Sequence, residues 1–142
     1  MNAKRVWTKL TIMVAIMVLG VAPLAGAADI KIGALNDMTG ATSDVGKDYA
    51  LGIAEAIHYI NDTGGINGKK IKLYQFDYGY RIPEALTKYN LFKRLKCAAI
   101  LGWGTGDTEA LAPTVAKDKI PYVSASYSGH LCKPEKTPYN LF

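Results

Sequence analysis

The chain has 142 residues and a formal net charge of +5 at pH 7. Apolar residues make up 49% and charged residues 20% of it, which is typical of one globular domain and excludes disordered or collagen-like sequence. Three positive charges, on Lys4, Arg5 and Lys9, precede the first acidic residue, Asp29. Without them the net charge falls to about +2, which gives no reason to expect nucleic acid as a partner.

The first 27 residues are typical of a cleaved secretory signal peptide. The basic residues precede an apolar stretch of about 13 residues, from Leu10 to Ala22, and Ala25-Gly26-Ala27 forms an A-x-A cleavage site. This stretch is shorter than the roughly 20 residues that a membrane-spanning helix needs, which disfavours an uncleaved anchor. We therefore predict export, with a mature chain that begins at Ala28.

The mature chain alternates β-rich runs with segments of helical periodicity. In chain order the patterns predict strand, helix, strand, helix, strand, helix, strand and the start of a further strand, over residues 30–35, 47–62, 70–77, 81–95, 97–101, 107–117, 120–124 and 139–142. Asp107 or Thr108 is expected to cap the third helix, and Pro113 to kink or shorten it. This order predicts an α/β fold, a parallel sheet with helices on both faces.

Loops at one edge of that sheet are the expected site of function. In parallel α/β sheets, ligands bind outside the carboxyl ends of the strands. The loops concerned are residues 36–46, 102–107 and 124–129, with 77–80 as a further candidate.

The two cysteines are predicted to be unpaired thiols. Cys97 opens one predicted strand and Cys132 follows the end of the next, which separates them by about 20 Å at roughly 3.3 Å per residue. Disulfide-bonded Cα atoms approach within about 7 Å. His58 and His130 show no metal-ligand spacing with either cysteine, so no metal site is expected.

Short motifs in a fixed order carry a family resemblance. They are IKIG at 30–33, MTG at 38–40, IN at 60–61, GGINGK at 64–69, YQFD at 74–77, AP at 112–113 and IP at 120–121. Their order and spacing across roughly 110 residues resemble the type I periplasmic binding proteins of the branched-chain amino acid class.

The resemblance implies a two-lobed protein that closes on its ligand, of which residues 28–142 form the first lobe, incomplete, with the second lobe absent. It implies an extracytoplasmic solute-binding subunit of an ABC importer, with an amino-acid-like small molecule as ligand and a membrane permease as partner. A ligand-sensing domain of a receptor is the alternative. An exported enzyme is a third reading, for which we find no nucleophile or acid–base pair. No cofactor is implied, and the ligand's identity stays open.

The resemblance places the ligand's carboxylate at the loop after the third strand. Thr105 matches the hydroxyl position there, and the flanking Gly104 and Gly106 let the backbone N–H groups approach an anion. Ser126 and Ser128, after the fourth strand, match positions that hold the ligand's ammonium and carboxylate. The alternatives are an ordinary capping threonine and a serine-rich surface turn.

Three further residues are candidates to line the site. Trp103 is read either as an apolar wall or as core packing, and Val45 either as a side-chain contact or as a buried loop residue. Tyr127 stands where a smaller residue is expected and would alter the pocket. Asp107 would compete with a bound carboxylate for the same donors, so either it points away or the ligand is neutral or cationic.

Overall fold

The fold is described for residues 28–141 in a computed structural model; the predicted signal peptide and Phe142 lie outside the described residues. The strands are β1 (Ile30–Asn36), β2 (Ile71–Asp77), β3 (Ala99–Leu101), β4 (Tyr122–Val123) and β5 (Asn140–Leu141). The helices are α1 (Ser43–Asp62), α2 (Ile82–Leu95) and α3 (Thr105–Asp118), with a 3-10 helix at Gly129–Cys132. Within this part of the chain, no helix combines the length and the apolar character of a membrane span.

The five strands form one parallel sheet in the order β2-β1-β3-β4-β5. β1 pairs with β2 over seven residues, from Ile30 opposite Ile71 to Asn36 opposite Asp77, and with β3 on its other side. A helix makes each of the first three crossovers, as parallel pairing requires. The predicted parallel α/β sheet is therefore confirmed, and the carboxyl ends of its strands meet at one edge.

Helices cover both faces of the sheet, also as predicted. Successive side chains of β1 point to opposite faces of the sheet. Two of them, Ala34 and Leu35, are completely buried. Leu35 belongs to a core cluster with Tyr89 and Phe92 of α2, whereas Ala34 belongs to a second cluster with Ile53 of α1. Burying one large apolar side chain contributes roughly 1.5–3 kcal/mol, so the two clusters attach the helices to the sheet.

The third helix differs from its prediction at the amino end and in its middle. It begins at Thr105, with neither Asp107 nor Thr108 as its cap, and it continues through Pro113 to Asp118. Of the two effects predicted at Pro113, a kink or a shortening, the shortening is therefore wrong. Leu111 and Val115 on either side of the proline are buried, and their packing outweighs the lost backbone hydrogen bond.

Other element ends also move. The first helix begins at Ser43, four residues before its predicted start at 47, because hydrogen bonds to the Asp37 carboxylate order the preceding loop. The predicted strand 120–124 shortens to Tyr122–Val123, and the last strand begins at Asn140 rather than at residue 139. Residues 129–132, predicted as loop, form the 3-10 helix.

Both cysteines are free, as predicted. Cys97 is buried in the core cluster that contains Leu35 and Phe92, and burial raises the pKa of its thiol. Cys132 is exposed in the 3-10 helix.

Candidate functional site

A cavity of about 190 Å³ opens at the carboxyl edge of the sheet. The loops after β1, β2, β3 and β4 all contribute to its wall. The residues that line it are Thr42, Val45, Tyr80, Trp103, Gly104, Thr105, Ala125 and Tyr127. The edge that the parallel topology selects for ligand binding thus carries a cavity built from four separate segments.

Two hydroxyl groups join the loops after β3 and β4. Thr105 Oγ1 lies 2.8 Å from Ser126 Oγ, and either oxygen can be the donor. Behind them, Ser124 Oγ accepts a hydrogen bond of 3.0 Å from the Ser126 N–H and lies 2.8 Å from Thr108 Oγ1, which is buried. Thr105 is also the first residue of α3, where backbone N–H groups have no partner within the helix. Hydroxyl and N–H donors are therefore concentrated at this point.

Asp107 points away from the cavity. Its side chain is 2% exposed and accepts hydrogen bonds from the hydroxyls of Tyr78 (2.7 Å) and Tyr122 (3.1 Å). Burial raises its pKa, although the two tyrosine hydroxyls and the backbone N–H of Gly104 act in the opposite direction. The sequence left two possibilities open for Asp107, and the structure shows the one in which its side chain points inward. None of the described residues that line the cavity is acidic.

The indole of Trp103 is held in one position. Its Nε1–H donates a hydrogen bond of 2.8 Å to Thr42 Oγ1, and its ring packs on Tyr49 with centroids 5.0 Å apart. Thr42 Oγ1 in turn donates to the buried Asp37 carboxylate at 2.7 Å. The indole thus lines the cavity and also connects the loop after β3 to the residue that precedes α1.

Two aspartates at the ends of β1 and β2 organise the loops beside the cavity. Asp37 accepts hydrogen bonds from the N–H groups of Gly40 (2.6 Å) and Thr42 (2.7 Å). Asp77 accepts from the Met38 N–H at 2.9 Å, as well as from the Thr39 hydroxyl and the Gly79 N–H. Desolvation opposes ionisation of Asp77, but these hydrogen bonds outweigh it and lower its pKa.

The two glycines predicted around Thr105 have different roles. A Cβ at Gly104 would lie 2.5 Å from the Tyr80 ring and 2.7 Å from Asp107 Oδ1, so no side chain fits there. A Cβ at Gly106 would approach nothing nearer than 3.7 Å, the Cδ1 of Ile82. Close packing therefore requires glycine at 104 but not at 106.

The structure brings together most of the predicted site residues. Those that line the cavity are Val45, Trp103, Gly104, Thr105 and Tyr127, and Ser126 is bonded to Thr105. Ser128 and Gly106 are not among the lining residues. Ser128 Oγ instead lies 2.7 Å from Nδ1 of His130, whose Nε2 is 3.2 Å from Glu109 Oε1.

Sequence reasoning did not single out Thr42 or Ala125 as wall residues and included Tyr80 only within the candidate loop 77–80. All three lie in loops that the strand order already brings to the carboxyl edge, so loop position was the available signal. Among residues 28–141, no group of three or more His, Cys, Asp or Glu side chains is arranged to hold a metal ion.

This lobe-like α/β unit, with its cavity at the carboxyl edge, matches the periplasmic binding protein family over residues 29–142. The chain belongs to that family. Its parallel sheet and helices match one lobe of a type I periplasmic binding protein, and the chain covers part of that fold.

Three similar proteins illustrate the match. An ABC transporter substrate-binding protein of Aeropyrum pernix is 42% identical, with a TM-score of 0.73 over 80% of this chain and 30% of its own. A branched-chain amino acid transporter substrate-binding protein of Streptococcus pneumoniae, solved with isoleucine, is 28% identical, with a TM-score of 0.72 over 79% of this chain and 32% of its own. An amino acid binding protein of Pseudomonas aeruginosa is 38% identical over 76 residues, 53% of this chain and 20% of its own. The chain thus spans about a third or less of the length of these relatives.

Proposed function

We propose that this chain is the first lobe of an extracytoplasmic solute-binding protein that captures an amino-acid-like small molecule for an ABC importer. The observation that carries the proposal is the Thr105–Ser126 hydroxyl pair beside the first turn of α3 in the cavity wall. Support also comes from the family match and from relatives whose names describe amino acid binding.

The chemistry of this point suits a carboxylate. A helix amino end offers unpaired N–H donors and a partial positive charge, and an added hydroxyl donor extends the set. Asp107 would repel an anion at this place, but its side chain is turned into the core and occupied by two tyrosine hydroxyls. The ligand's acid group therefore meets donors without a facing acidic side chain in the described wall.

The relatives' greater length supports a second lobe that completes the cleft. Under this proposal, residues 1–27 direct export, the protein works outside the cytoplasmic membrane, and the closed liganded form delivers its cargo to a membrane permease. The amino-terminal sequence of the exported protein, expected to begin at Ala28, tests the first of these statements.

Ligand binding is tested on the complete protein, meaning the product of the whole reading frame that carries this sequence. A ligand at 100 times its dissociation constant stabilises the folded protein by about 2.7 kcal/mol, which a thermal-shift screen of amino acids and related acids detects. Thr105→Ala is expected to weaken binding of the best ligand by about 10-fold to 100-fold, since a hydrogen bond to a charged group contributes about 1.5–3 kcal/mol. Thr105→Ser should retain most of the affinity.

Thr87→Ala is the matched control, because this exposed threonine bonds only to the backbone of its own helix α2. Equal affinities for Thr105→Ala and Thr87→Ala would contradict the assignment of Thr105. Loss of ligand uptake in cells that lack the protein would support the importer role, whereas binding with unchanged uptake would favour a sensor.

A further inference from the structure

We infer that the ligand carries an aromatic ring beside its acid group. This inference rests on the proposed function, because it uses the same cavity and the same carboxylate position. It adds the class of the group that fills the remainder of the cavity.

Three aromatic side chains from three different loops line the cavity beside Thr105, although that of Tyr127 is fully exposed to solvent. Tyr80 follows β2, Trp103 follows β3 and Tyr127 follows β4, and all three line the cavity. The other lining residues have small side chains or none: Thr42, Val45, Gly104, Thr105 and Ala125. The large side chains of the described wall are therefore all aromatic.

The Trp103 ring is already fixed in its position. The bond from its Nε1–H to Thr42 and its contact with Tyr49 hold the indole from two sides. A wall that is already ordered loses little conformational freedom when a ligand packs on it, so the contact contributes more fully to affinity.

Tyr80 is also held, at some cost to its backbone. Its φ of 56° lies in the left-handed region, which is unfavourable for a bulky residue. Its ring packs over Gly104, where any Cβ would collide with it, and lies 6.0 Å from the Tyr78 ring at an interplanar angle of 38°. The chain thus maintains a strained backbone that places an aromatic ring directly over the loop that carries Thr105.

The polar groups of the wall favour an acid over a simple cation. Hydroxyl and backbone N–H donors suit an anion, and none of the described lining residues is acidic. Flat rings stack on indole and phenol faces with a gain beyond simple area burial. Aliphatic side chains receive no such gain. A quaternary ammonium group would interact with the ring faces but cannot accept hydrogen bonds from the hydroxyl and N–H donors.

Isothermal titration of the complete protein tests the inference with defined probes. Benzoate, 4-hydroxybenzoate and phenylalanine form the aromatic set; leucine, isoleucine and glycine betaine form the comparison set. We expect a member of the aromatic set to bind at least about tenfold more tightly than every member of the comparison set.

Substitutions locate the effect. Trp103→Leu and Tyr80→Leu should each weaken binding of the best aromatic probe by about fivefold or more, while Trp103→Phe and Tyr80→Phe, which keep a ring, should lose less. Tyr59→Leu is the matched control, because Tyr59 is 71% exposed on α1 and does not line the cavity. Thermal melting without ligand identifies any variant that fails to fold, and the ring-preserving variants then decide.

The outcomes separate this inference from the proposed function. If leucine or isoleucine binds most tightly, and Thr105→Ala abolishes that binding, the proposed function holds and the aromatic inference is overturned. Tightest binding of glycine betaine also overturns it. If no probe of either set binds, both the inference and the amino-acid-like assignment fail.

Discussion

The loops after β1 and β2 differ from those after β3 and β4, although all four lie at one edge of the sheet. The first two are held by the carboxylates of Asp37 and Asp77, whose oxygens accept backbone N–H groups. The second two meet through the hydroxyls of Thr105 and Ser126. A carboxylate filled by backbone donors has little left to offer a ligand, whereas hydroxyls can exchange partners. For the polar part of a ligand, the comparison indicates a scaffold half, the loops after β1 and β2, and a recognition half, the loops after β3 and β4. Thr42 and Tyr80 of the scaffold half also line the cavity.

Asp77 and Asp107 make the same contrast with single residues. Hydrogen bonds lower the pKa of Asp77, so the fold favours its ionised form. Burial raises the pKa of Asp107, so the fold disfavours its charge even with two tyrosine donors beside it. The first acid stabilises a loop, and the second lies beneath the recognition half and supports it from the core.

The largest effect is expected for Asp107→Ala. This substitution leaves the buried hydroxyls of Tyr78 and Tyr122 without their acceptor, at about 1–3 kcal/mol for each. We expect a loss of about 3–5 kcal/mol in the free energy of unfolding, measured by urea unfolding of the complete protein. Asp107→Asn keeps one acceptor oxygen and should cost clearly less. A loss below about 1 kcal/mol for the alanine variant would show that the tyrosines find other partners.

Gly46→Ala is expected to have the next largest effect. A Cβ at this position in α1 would overlap the carbonyl oxygen of Asp37, a backbone atom that cannot rotate away. The expected destabilisation is about 1–3 kcal/mol. Gly52→Ala in the same helix is the control, since a Cβ there meets nothing within 4 Å and should stabilise the helix by about 0.5–1 kcal/mol. Equal unfolding midpoints for both variants would contradict the scaffold role of the first loop.

The sequence predicted features that depend on neighbouring residues, but not features that depend on residues far apart in the chain. Apolar periodicity is local, so it correctly predicted the order of strands and helices and the edge at which the cavity lies. The direction of Asp107 depends on tyrosines 29 and 15 residues away. The continuity of α3 through Pro113 likewise depends on burial against the sheet. Neither the cavity wall at Thr42 nor the position of Tyr80 has a local pattern that identifies it.

A smaller effect is expected from pH, with opposite signs for the two acids. The folded pKa of Asp77 is lowered, so its contribution is present above about pH 4 and is lost as pH falls through that lowered value. The contribution of Asp107 is present below about pH 4 and is lost as pH rises through its raised folded pKa. In the Asp77→Asn variant, the free energy of unfolding should therefore fall less between about pH 7 and pH 3 than in the unmodified protein. An unchanged pH profile would mean that Asp77 is not linked to folding.

The smallest effect is expected for Glu109→Gln, at the outer side of the recognition half. Glu109 lies one helical turn after Thr105 in α3, and it contacts His130 as Thr105 contacts Ser126. The side chains of Glu109 and His130 are 46% and 60% exposed, and even a fully charged pair at such a surface position contributes only about 0–1 kcal/mol. We expect a change below about 0.5 kcal/mol in unfolding free energy and no change in ligand affinity. If Glu109→Gln weakened ligand binding more than Thr105→Ala does, the Glu109–His130 contact would matter more for the site than the Thr105–Ser126 contact. The loop after β4 would then be held in position from outside the cavity.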